Sequence, residues 1–590
     1  MKKRIVCLLL SALLSITIFS GCGDNSTPAA SSSVPSETSA SASAHAPSEA
    51  DSSSAASSAS IPEEVGSTES AADTEIQVEE IPIALPLTTD HVEYSLYTSV
   101  SPMIGDTTEL TPENNMVILE LEQRTGIHLN IQTVSAMSYT EQFMLMIAGG
   151  DWTDLLSNVR TTYSGGLASA ISEDIIIDLA HYNEYMPNYM NLVTSDTNLY
   201  RDVTLGHGEM GAFYGFFNEN KPADAGLMVR SDWLAALNMS APETIDDYDA
   251  VARTFYNTYG TTIHLPTNSL FANQAFLSAY EVAGFYIDAG FYTSLQCYTV
   301  ENGQVICGFT TDGFKEYLQL LAGWYADGLI TSDYMSATST SNYLGDNSEA
   351  GASLLNDGIG IWGDSVANQV KYDNTMSVDP NFYAQPTELP TMNAEDEVVC
   401  GLYITKIDEA YYSITTSCEN PELMIQWIDY AYTSVGSLLY NWGLEETTYT
   451  VNDDGSKQFT ELVMNNPDGL STEQAKYAYL GIGSSLRDID VWYAGYSDAQ
   501  MACFDVWNKD FTGEKALSTQ LSMTTEESEL FSRISGDLIT YLSESVAKFI
   551  VGEKNFDEDY DAFLSDLNSL GLETLDKIEQ DVYDRWSGIA

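Results

Sequence analysis

The residues that could carry acid–base or nucleophilic catalysis do not stand at the spacings that known catalytic motifs require. The six histidines are scattered, at positions 45, 91, 128, 181, 207 and 264. The chain has no Gly-x-Ser-x-Gly elbow, no His-Glu-x-x-His pair and no phosphate-binding loop. A carboxylate pair of the kind glycosidases use stays open, because the chain has 86 acidic residues and counting excludes no pair. The motifs therefore predict no enzyme, with a secreted glycan-active hydrolase as the alternative.

Aromatic residues are the more informative group, with 36 Tyr, 20 Phe and 9 Trp. Most aromatic side chains of a folded protein belong to its core. An excess of Tyr also suits a cleft for a hydroxyl-rich ligand, because ring faces pack on sugar C–H faces while polar edges hydrogen-bond. Carboxylates beside such rings suit a neutral sugar, and a basic peptide is the alternative ligand.

The charge balance excludes several partners. The chain carries 22 basic and 86 acidic residues, a formal net charge of −64. Binding to nucleic acid needs clustered Lys and Arg, so no nucleic-acid partner is expected. The same excess of negative charge opposes adsorption to an anionic membrane surface and discourages self-association, which predicts a monomer.

The cysteines and acidic turns predict no metal site and no cofactor. There is no Cys-x-x-Cys pair, and "VNDDGSKQF" lacks the twelve-residue spacing of a calcium loop, so it is predicted to be a hairpin. Cys297 and Cys307 flank an Asn302-Gly303 turn. A two-residue hairpin there places Tyr298 opposite Cys307, so we expect the two cysteines to point to opposite faces and remain unbridged.

The amino terminus has the pattern of an export signal. "MKKR" is a basic start, "IVCLLLSALLSITIF" is an apolar run too short to span a bilayer comfortably, and "FSGC" resembles a bacterial lipobox ending at Cys22. Phe19 departs from the usual Leu of that motif. These features predict a lipoprotein signal peptide over residues 1–21 and a lipid on Cys22. They place the chain at the cell membrane, anchored on its extracellular face.

Residues 22–89 form a predicted tether, because a run dominated by Ser, Ala, Glu, Thr and Pro buries too little apolar surface to fold. The folded domain is predicted over residues 90–590. Its first elements alternate between strand and helix: "VEYSLYTSV", "PENNMVILELEQRTG", "IHLNIQTV", "YTEQFMLMIAGG" and "TDLLSNV". This alternation predicts an α/β fold with a parallel sheet.

The stretch "SDWLAALNMSAPETIDDYDA" contains two helix starts and one helix end. Asn238 is a residue that tolerates the left-handed conformation that terminates a helix. Thr244 and Asp247 have the spacing of a capping box, and an apolar stripe at helical spacing follows it. The stretch therefore predicts two short helices packed back to back.

Several segments resemble the extracellular solute-binding proteins of ABC importers, of the maltose-binding-protein-like family. They are "LEQRTGIHLNIQTV", "FMLMIAGGDWTDLLSN", "LMVRSDWLAALNMSAPETIDDYDAV", "LAGWYADGLITSDY", "GIGIWGDS" and "SITTSCENPELMIQWIDYAYTSVGSLLYNWGLEETTY". The resemblance covers most of residues 92–590. It implies a two-lobe periplasmic-binding-protein-like fold with a hinged ligand cleft. It further implies capture of a small-molecule solute, with an oligosaccharide favoured over a peptide, and delivery to the membrane permease.

The two lobes are predicted to interleave. The first lobe is expected over about 92–206 plus 385–416, and the second over about 208–381 plus the C-terminal helices. Ligands of such folds sit at the carboxyl ends of the strands, where loops from both lobes meet. Trp362 is the expected stacking platform, with a buried strand residue as the alternative. The candidate ligand-binding residues are Tyr97, Ser99, Asn158, Arg160, Tyr163, Tyr214, Phe216, Trp362, Asp364 and Trp442.

Overall fold

The computed structural model describes residues 80–100, 114–264, 275–282, 286–287, 295–330, 358–366, 381–396, 398, 405–481, 483–509 and 515–589. The predicted signal peptide, Cys22 and the tether up to residue 79 lie outside the described residues. All described residues belong to one compact unit, Glu69–Ala590. In the described part of the chain, no helix is both long enough and apolar enough to cross a membrane.

The strands of the described residues share two main sheets and three short hairpins. In chain order they are β1 Val92–Val100, β2 Ile127–Ser135, β3 Leu155–Ser157, β4 Phe213–Phe217, β5 Ala225–Arg230, β6 Thr262–His264, β7 Tyr286–Ile287, β8 Leu295–Gln296, β9 Tyr298–Glu301, β10 Gln304–Cys307, β11 Ile359–Ser365, β12 Ala384–Thr387, β13 Ile407–Ile414, β14 Tyr449–Val451, β15 Lys457–Phe459 and β16 Leu486–Arg487.

The α-helices of the described residues flank these sheets. In chain order they are α1 Met116–Thr125, α2 Tyr139–Gly149, α3 Val159–Thr162, α4 Gly166–Ser172, α5 Pro187–Val193, α6 Thr197–Val203, α7 Ser231–Leu237, α8 Ile245–Tyr259, α9 Asp312–Ala326, α10 Pro421–Asp429, α11 Ser434–Trp442, α12 Glu461–Met464, α13 Thr472–Tyr479, α14 Ile489–Tyr493, α15 Asp498–Trp507, α16 Thr525–Ile550, α17 Tyr560–Leu570 and α18 Leu572–Ser587.

The first lobe is built on a six-stranded sheet with the order β16-β4-β13-β3-β1-β2. β1 runs parallel to both β2 and β3, which confirms the parallel pairing that the opening strand–helix alternation predicts. β13 runs antiparallel to β3 and β4, and β16 runs parallel to β4. Burial follows the expected periodicities: Leu96 of β1, Val117 and Leu121 of α1 and Phe143 of α2 lie in one core.

The second lobe is built on a four-stranded sheet with the order β12-β5-β11-β6. Successive residues of β11 point to opposite faces, as a strand requires. Ile361 joins a large core that includes Phe255 and Leu538, and Trp362 joins a smaller cluster with Phe504 of α15. Helices therefore cover both faces of this sheet.

Three crossings of the chain between the two sheets run side by side. The amide of Phe217 donates to the carbonyl of Lys406 at 2.7 Å, and the amide of Asn218 donates to the carbonyl of Arg487 at 2.9 Å. Lys221 also donates its amide to the carbonyl of Thr405, at 3.1 Å. We call the segments 217–224, 405–409 and 487–493 the crossover bundle.

The sheet membership differs from the predicted lobe boundaries at two strands. β4 lies in the first sheet, between β13 and β16, although residues 208–381 were assigned to the second lobe. β12 lies in the second sheet, where Ala384 faces Arg230 of β5, although 385–416 was assigned to the first lobe. Hydrophobic periodicity predicts a strand but carries no information about which sheet the strand joins.

The local helix signals are confirmed. Asn238 ends α7 in the left-handed conformation, with φ of 54°. Thr244 and Asp247 form the predicted capping box at the start of α8, whose apolar stripe is buried. "VNDDGSKQFT" forms the predicted hairpin, with β14 antiparallel to β15.

The predicted separation of Cys297 and Cys307 is wrong. The register is as predicted, with Cys307 opposite Tyr298, but the two sulfur atoms lie 3.7 Å apart. Cys297 falls between β8 and β9, where the strand is interrupted. The alternation of faces that the prediction assumed therefore does not extend to Cys297.

Candidate functional site

One edge of the first sheet gathers strand ends from distant parts of the chain. β1, β3, β4 and β16 run in the same direction and end there, and the antiparallel β13 begins there. We call this the carboxyl edge. The crossover bundle leaves the first sheet at the same edge, so loops of both lobes meet beside it. This is the location at which α/β folds bind ligands.

Tyr97 brings an unused hydroxyl towards the end of β1. The residue is 6 % exposed, and its ring lies 5.4 Å from that of Tyr139. Its hydroxyl oxygen is buried without a hydrogen-bond partner among the described residues. Burial raises the pKa of Tyr97, so the hydroxyl keeps its proton and can donate. Ser99 is partly buried on the same face of the strand, two residues further along.

Asn158 follows β3 directly and is held in a strained backbone conformation, with φ of 54°. Its amide donates to the carbonyl of Tyr411 at 3.2 Å, and its carbonyl accepts from Thr161 and Thr162 in the first turn of α3. The side-chain oxygen Oδ1 is buried and has no partner in the described parts of the chain. A buried acceptor without a hydrogen-bond partner lowers the stability of the folded protein. A ligand hydroxyl could supply the hydrogen bond that Asn158 Oδ1 lacks, which makes Asn158 a candidate contact.

Arg160 and Tyr163 follow on the same connection, and both side chains are engaged within the protein. A guanidinium N–H of Arg160 donates to the carbonyl of Thr519, which joins this loop to the segment before α16. The hydroxyl of Tyr163 donates to the carboxylate of Glu173 at 2.8 Å. Burial, together with that carboxylate, raises the pKa of Tyr163 to about 12. Tyr163 therefore fixes the loop locally.

The crossover bundle carries a charged network that the sequence analysis missed. Nη2 of Arg487 donates to the hydroxyl of Tyr411 at 2.5 Å, and Nε lies 2.9 Å from a carboxylate oxygen of Asp408. The Tyr411 hydroxyl donates to the same carboxylate at 2.7 Å. The network ties the start of β13 to the end of β16 and so holds the carboxyl edge rigid.

Glu409 is the exposed carboxylate of this region. Desolvation by the surrounding protein raises its pKa and so does Asp408, while Arg487, Lys221 and Arg160 oppose the rise. Glu409 is therefore an exposed acceptor beside the network, with Arg487, Lys221 and Arg160 near enough to act on its charge.

Trp492 of α14 places an aromatic ring in the crossover bundle, beside Lys221. The ammonium of Lys221 lies 4.9 Å from the ring centroid, and Phe217 packs edge-on at 5.3 Å. Its indole Nε1 is buried and has no partner among the described residues. Trp492 thus combines a ring at the crossover bundle with an unused donor.

Tyr214 and Phe216 are core residues rather than cleft residues. All five residues of β4 are buried, because the strand lies between β13 and β16 and its faces are covered. Phe216 packs against Tyr189 and Tyr432. The carbonyl of Tyr214 accepts from the Tyr432 hydroxyl at 2.6 Å. The aromatic run that suggested a ligand site is a central strand.

Trp362 and Asp364 are both 1 % exposed in the second lobe. The indole Nε1 of Trp362 donates to the Asp364 carboxylate at 3.1 Å. The ring lies in a cluster with Met228, Phe504 and Trp507. A stacking platform must expose a ring face, so the structure matches the buried-strand alternative for Trp362.

Trp442 also lies in a core. It is 2 % exposed, and its ring lies 4.8 Å from Phe459 and 5.9 Å from Tyr449. Its Nε1 donates to Asp488 at 2.8 Å. Asp488 also caps the start of α14, the helix that carries Trp492. Trp442 therefore helps to position this helix and does not itself line a cleft.

Tyr97, Ser99, Asn158 and Arg160 lie on or just after β1 and β3 at the carboxyl edge, and Tyr163 follows Arg160 on the same connection. Glu409, Lys221 and Trp492 join them, although no motif marks these three in the sequence. Within the described ranges, no group of three or more His, Cys, Asp or Glu side chains is placed to hold a metal ion.

Comparison with known proteins identifies the fold. No family model matches the chain. It is 25% identical over 224 residues to lipoprotein LipO of Bacillus subtilis, a match spanning 36% of this chain and 41% of that protein. It is 21% identical over 547 residues to the fructooligosaccharide ABC transporter substrate-binding protein FusA of Streptococcus pneumoniae, spanning 88% of this chain and 95% of FusA.

Among solved structures, an HMO-binding, ABC-transporter-associated solute-binding protein from Bifidobacterium longum infantis superposes with a TM-score of 0.67 at 15% identity, covering 84% of this chain and 99% of that one. The chain thus has the two-domain α/β fold of periplasmic solute-binding proteins. The resemblance to ABC-importer solute-binding proteins seen in the sequence is confirmed.

Proposed function

We propose that the protein is the substrate-binding component of an ABC importer and that it captures an oligosaccharide outside the cytoplasm. The observation that carries the proposal is the alignment with FusA, which spans 547 residues and 95% of that protein. A match of that extent includes both lobes and the crossings between them, and is not confined to a shared motif. Delivery of the ligand to membrane permease subunits follows from the same relationship.

The carboxyl edge has the chemistry for a neutral sugar. A ligand hydroxyl has acceptors in Asn158 Oδ1 and the Glu409 carboxylate, and a ligand oxygen has donors in the Tyr97 hydroxyl and Trp492 Nε1. Pairing these atoms with a ligand removes the cost of leaving them buried and unpaired. The Trp492 ring adds an apolar surface for a sugar face. The site is a binding site, and we propose no catalytic role for any of these groups.

We further propose that the protein is a monomer held at the extracellular face of the cell membrane by a lipid on Cys22. The "FSGC" motif and the Ser/Ala-rich run over residues 22–89 support this. A coil of that length spans roughly 45 Å on average by the scaling of flexible linkers. Such a tether leaves the binding domain free to turn towards a permease.

A thermal-shift screen of the purified protein tests the proposal. The panel contains neutral oligosaccharides of several linkages, with basic and neutral peptides beside them. A ligand that binds only the folded state raises the melting temperature by mass action. We expect a rise with one sugar series and unchanged sugars by chromatography. A rise with peptides alone would overturn the sugar assignment, and new cleavage products would place the protein among the hydrolases.

A further inference from the structure

Two cysteines of the second lobe lie side by side in its interior. Sγ of Cys297 and Sγ of Cys307 are 3.7 Å apart. The residues are 2 % and 4 % exposed. Both belong to the large core of the second lobe. Both are free thiols in this structure, with their sulfur atoms close to van der Waals contact.

The backbone holds this arrangement from both sides. Tyr298 faces Cys307 in the β9–β10 ladder, and the amide of Gly308 donates to the carbonyl of Cys297 at 2.6 Å. The two cysteines thus close the open end of the hairpin. Because the strand is interrupted at Cys297, its side chain turns to the same side as that of Cys307.

We propose that Cys297 and Cys307 form a disulfide bond in the exported protein. The inference rests on the proposed location outside the cytoplasm, where oxidising conditions let disulfides form and persist. The bond closes a short loop around the Asn302-Gly303 turn and locks the hairpin.

The hairpin is a contact surface for the C-terminal helix, so locking it has a structural consequence. The hydroxyl of Tyr298 donates to the carboxylate of Asp576 at 3.1 Å, and the amide of Val305 donates to Oε1 of Gln580 at 2.8 Å. Both partners lie on α18. A hairpin that is fixed at its open end presents these groups to α18 in one register.

We expect the bond to form before α18 docks on the hairpin. In the folded protein, burial raises the pKa of the Cys297 thiol, and the neighbouring Cys307, Glu579 and Asp576 raise it further. A protonated, buried thiol is a poor nucleophile. The hairpin is local in sequence, so it can form and be oxidised while the chain is still partly folded.

The exchange balances with a disulfide-bearing oxidant. The thiolate of one cysteine attacks a sulfur of the oxidant, forms a mixed disulfide and displaces one oxidant thiolate. The second cysteine then attacks its partner's sulfur and displaces the other oxidant thiolate. The two protons lost by Cys297 and Cys307 end on the oxidant, which leaves as a dithiol.

Peptide mapping of the full exported chain tests the bond. Free thiols are first alkylated in denaturant, and the chain is then cut after glutamate. Cleavage after Glu281, Glu301 and Glu316 separates residues 282–301 from 302–316, with one of the two cysteines in each. We expect mass spectrometry to detect the two peptides as one disulfide-linked species, which reduction converts into two separate peptides. Recovery of both peptides alkylated and separate would overturn the proposal.

Melting curves with and without reductant supply a second readout. Reductant should lower the melting temperature of the wild-type protein and leave that of Cys297→Ser unchanged. Cys503→Ser, which removes another buried cysteine, should keep the reductant effect. An equal effect of reductant on wild type and Cys297→Ser would contradict the bond. A separate experiment tests export. Cys22→Ala removes the proposed lipid anchor, so the exported variant should appear in the culture medium.

Discussion

Tyr97, Asn158 and Trp492 each bury a hydrogen-bonding atom that has no partner among the residues that the structure describes. Similar atoms occur elsewhere, such as Nε1 of Trp427 in the first-lobe core. What distinguishes the three is their place at the ends of β1, β3 and β16, where the crossover bundle passes. Unpaired atoms at such a place support the proposed ligand site, because a bound ligand would supply the missing hydrogen bonds.

Replacing Tyr97 by Phe should weaken ligand binding without loss of stability. The variant deletes only a hydroxyl for which the described residues offer no partner, so the free energy of unfolding should hold or rise. Ligand affinity should fall by about tenfold, or ~1.4 kcal/mol. Calorimetric titration and urea unfolding measure the two effects. Tyr94→Phe is the matched control: its hydroxyl donates to the Asn420 carbonyl at 2.8 Å, so it should lose stability and keep affinity.

Replacing Trp362 by Ala should reduce stability, because the ring fills the cluster formed with Met228, Phe504 and Trp507. Deleting a buried Trp ring from a packed core typically costs about 3–5 kcal/mol. Urea unfolding of the variant measures the loss. A variant with wild-type stability and lost ligand affinity would instead show that the ring is a stacking platform.

Asp429 should make stability depend on pH. Burial raises its pKa from 3.8 to about 6, although Asn188 and Tyr189 donate hydrogen bonds to it. The folded state therefore holds this proton more tightly than the unfolded state does. Below the pKa of the unfolded state, Asp429 is protonated in both states and does not change the free energy of unfolding. As pH rises from about 4 to 6, the carboxyl ionises more readily in the unfolded state, and the free energy of unfolding falls. A shift of about two pKa units corresponds to roughly 3 kcal/mol.

Comparing wild type with Asp429→Asn isolates this effect from the many surface carboxylates. Between pH 4 and 6, the unfolding free energy of the wild type should fall relative to that of Asp429→Asn. It should stay level from pH 6 to 8. A difference that is constant from pH 4 to 8 would show that Asp429 does not titrate in this range.

At the scale of elements, local signals were predictable because they depend on neighbours in sequence. β1 spans Val92–Val100, the stretch predicted as the first strand, and Gly126 ends α1 in the left-handed conformation, as expected. Sheet membership was not predictable, since the positions of β4 and β12 depend on pairing with strands far along the chain. The same limit applies to Cys297, whose direction depends on an interruption of the strand.

The candidate site divides in the same way. Tyr97 and Ser99 lie in the last part of the first strand and Asn158 follows the third, so the rule for α/β folds selects these candidates directly from the sequence. Glu409 and Trp492 were missed because they lie on an antiparallel strand start and a short helix, which carry no motif. Trp362 and Trp442 were chosen for their chemistry, and only the packing of distant helices and strands shows that they are buried.

Helix α6 is one of the elements through which the first lobe contacts the C-terminal region. Asp202 is 3 % exposed and accepts hydrogen bonds from Ser518 Oγ at 2.6 Å and from Trp586 Nε1 at 2.9 Å. Nε of Arg201 donates to the carbonyl of Ile589 at 3.0 Å. The first lobe thus contacts the C-terminal helix in addition to the crossover bundle.

Replacing Asp202 by Ala should loosen this contact, because it leaves Ser518 and Trp586 without their acceptor. We expect a loss of about 1.5–3 kcal/mol in unfolding free energy and a larger radius of gyration by small-angle X-ray scattering. Asp196→Ala is the control: it removes the N-cap of the same helix and should cost about 1 kcal/mol without changing the radius. Equal radii for the two variants would show that the contact does not hold the lobes.

At the scale of the whole molecule, two lobes share a crossover bundle, and the carboxyl edge of the first sheet lies beside it. This arrangement lets a hinge rotation bring the second lobe over a ligand held at that edge. The net charge of −64 opposes close approach of two copies, which supports the proposed monomer. Capture by one lobe and closure by the other would then present a single closed form to a permease.

The most direct test of the proposed site is a crystal structure with the oligosaccharide that gives the largest thermal shift. We predict that sugar oxygens lie within hydrogen-bonding distance of the Tyr97 hydroxyl and Asn158 Oδ1, with Glu409 and Trp492 on the wall of the same cleft. Sugar density elsewhere, with the Tyr97 hydroxyl and Asn158 Oδ1 still unpaired, would contradict the assignment of the carboxyl edge as the binding site.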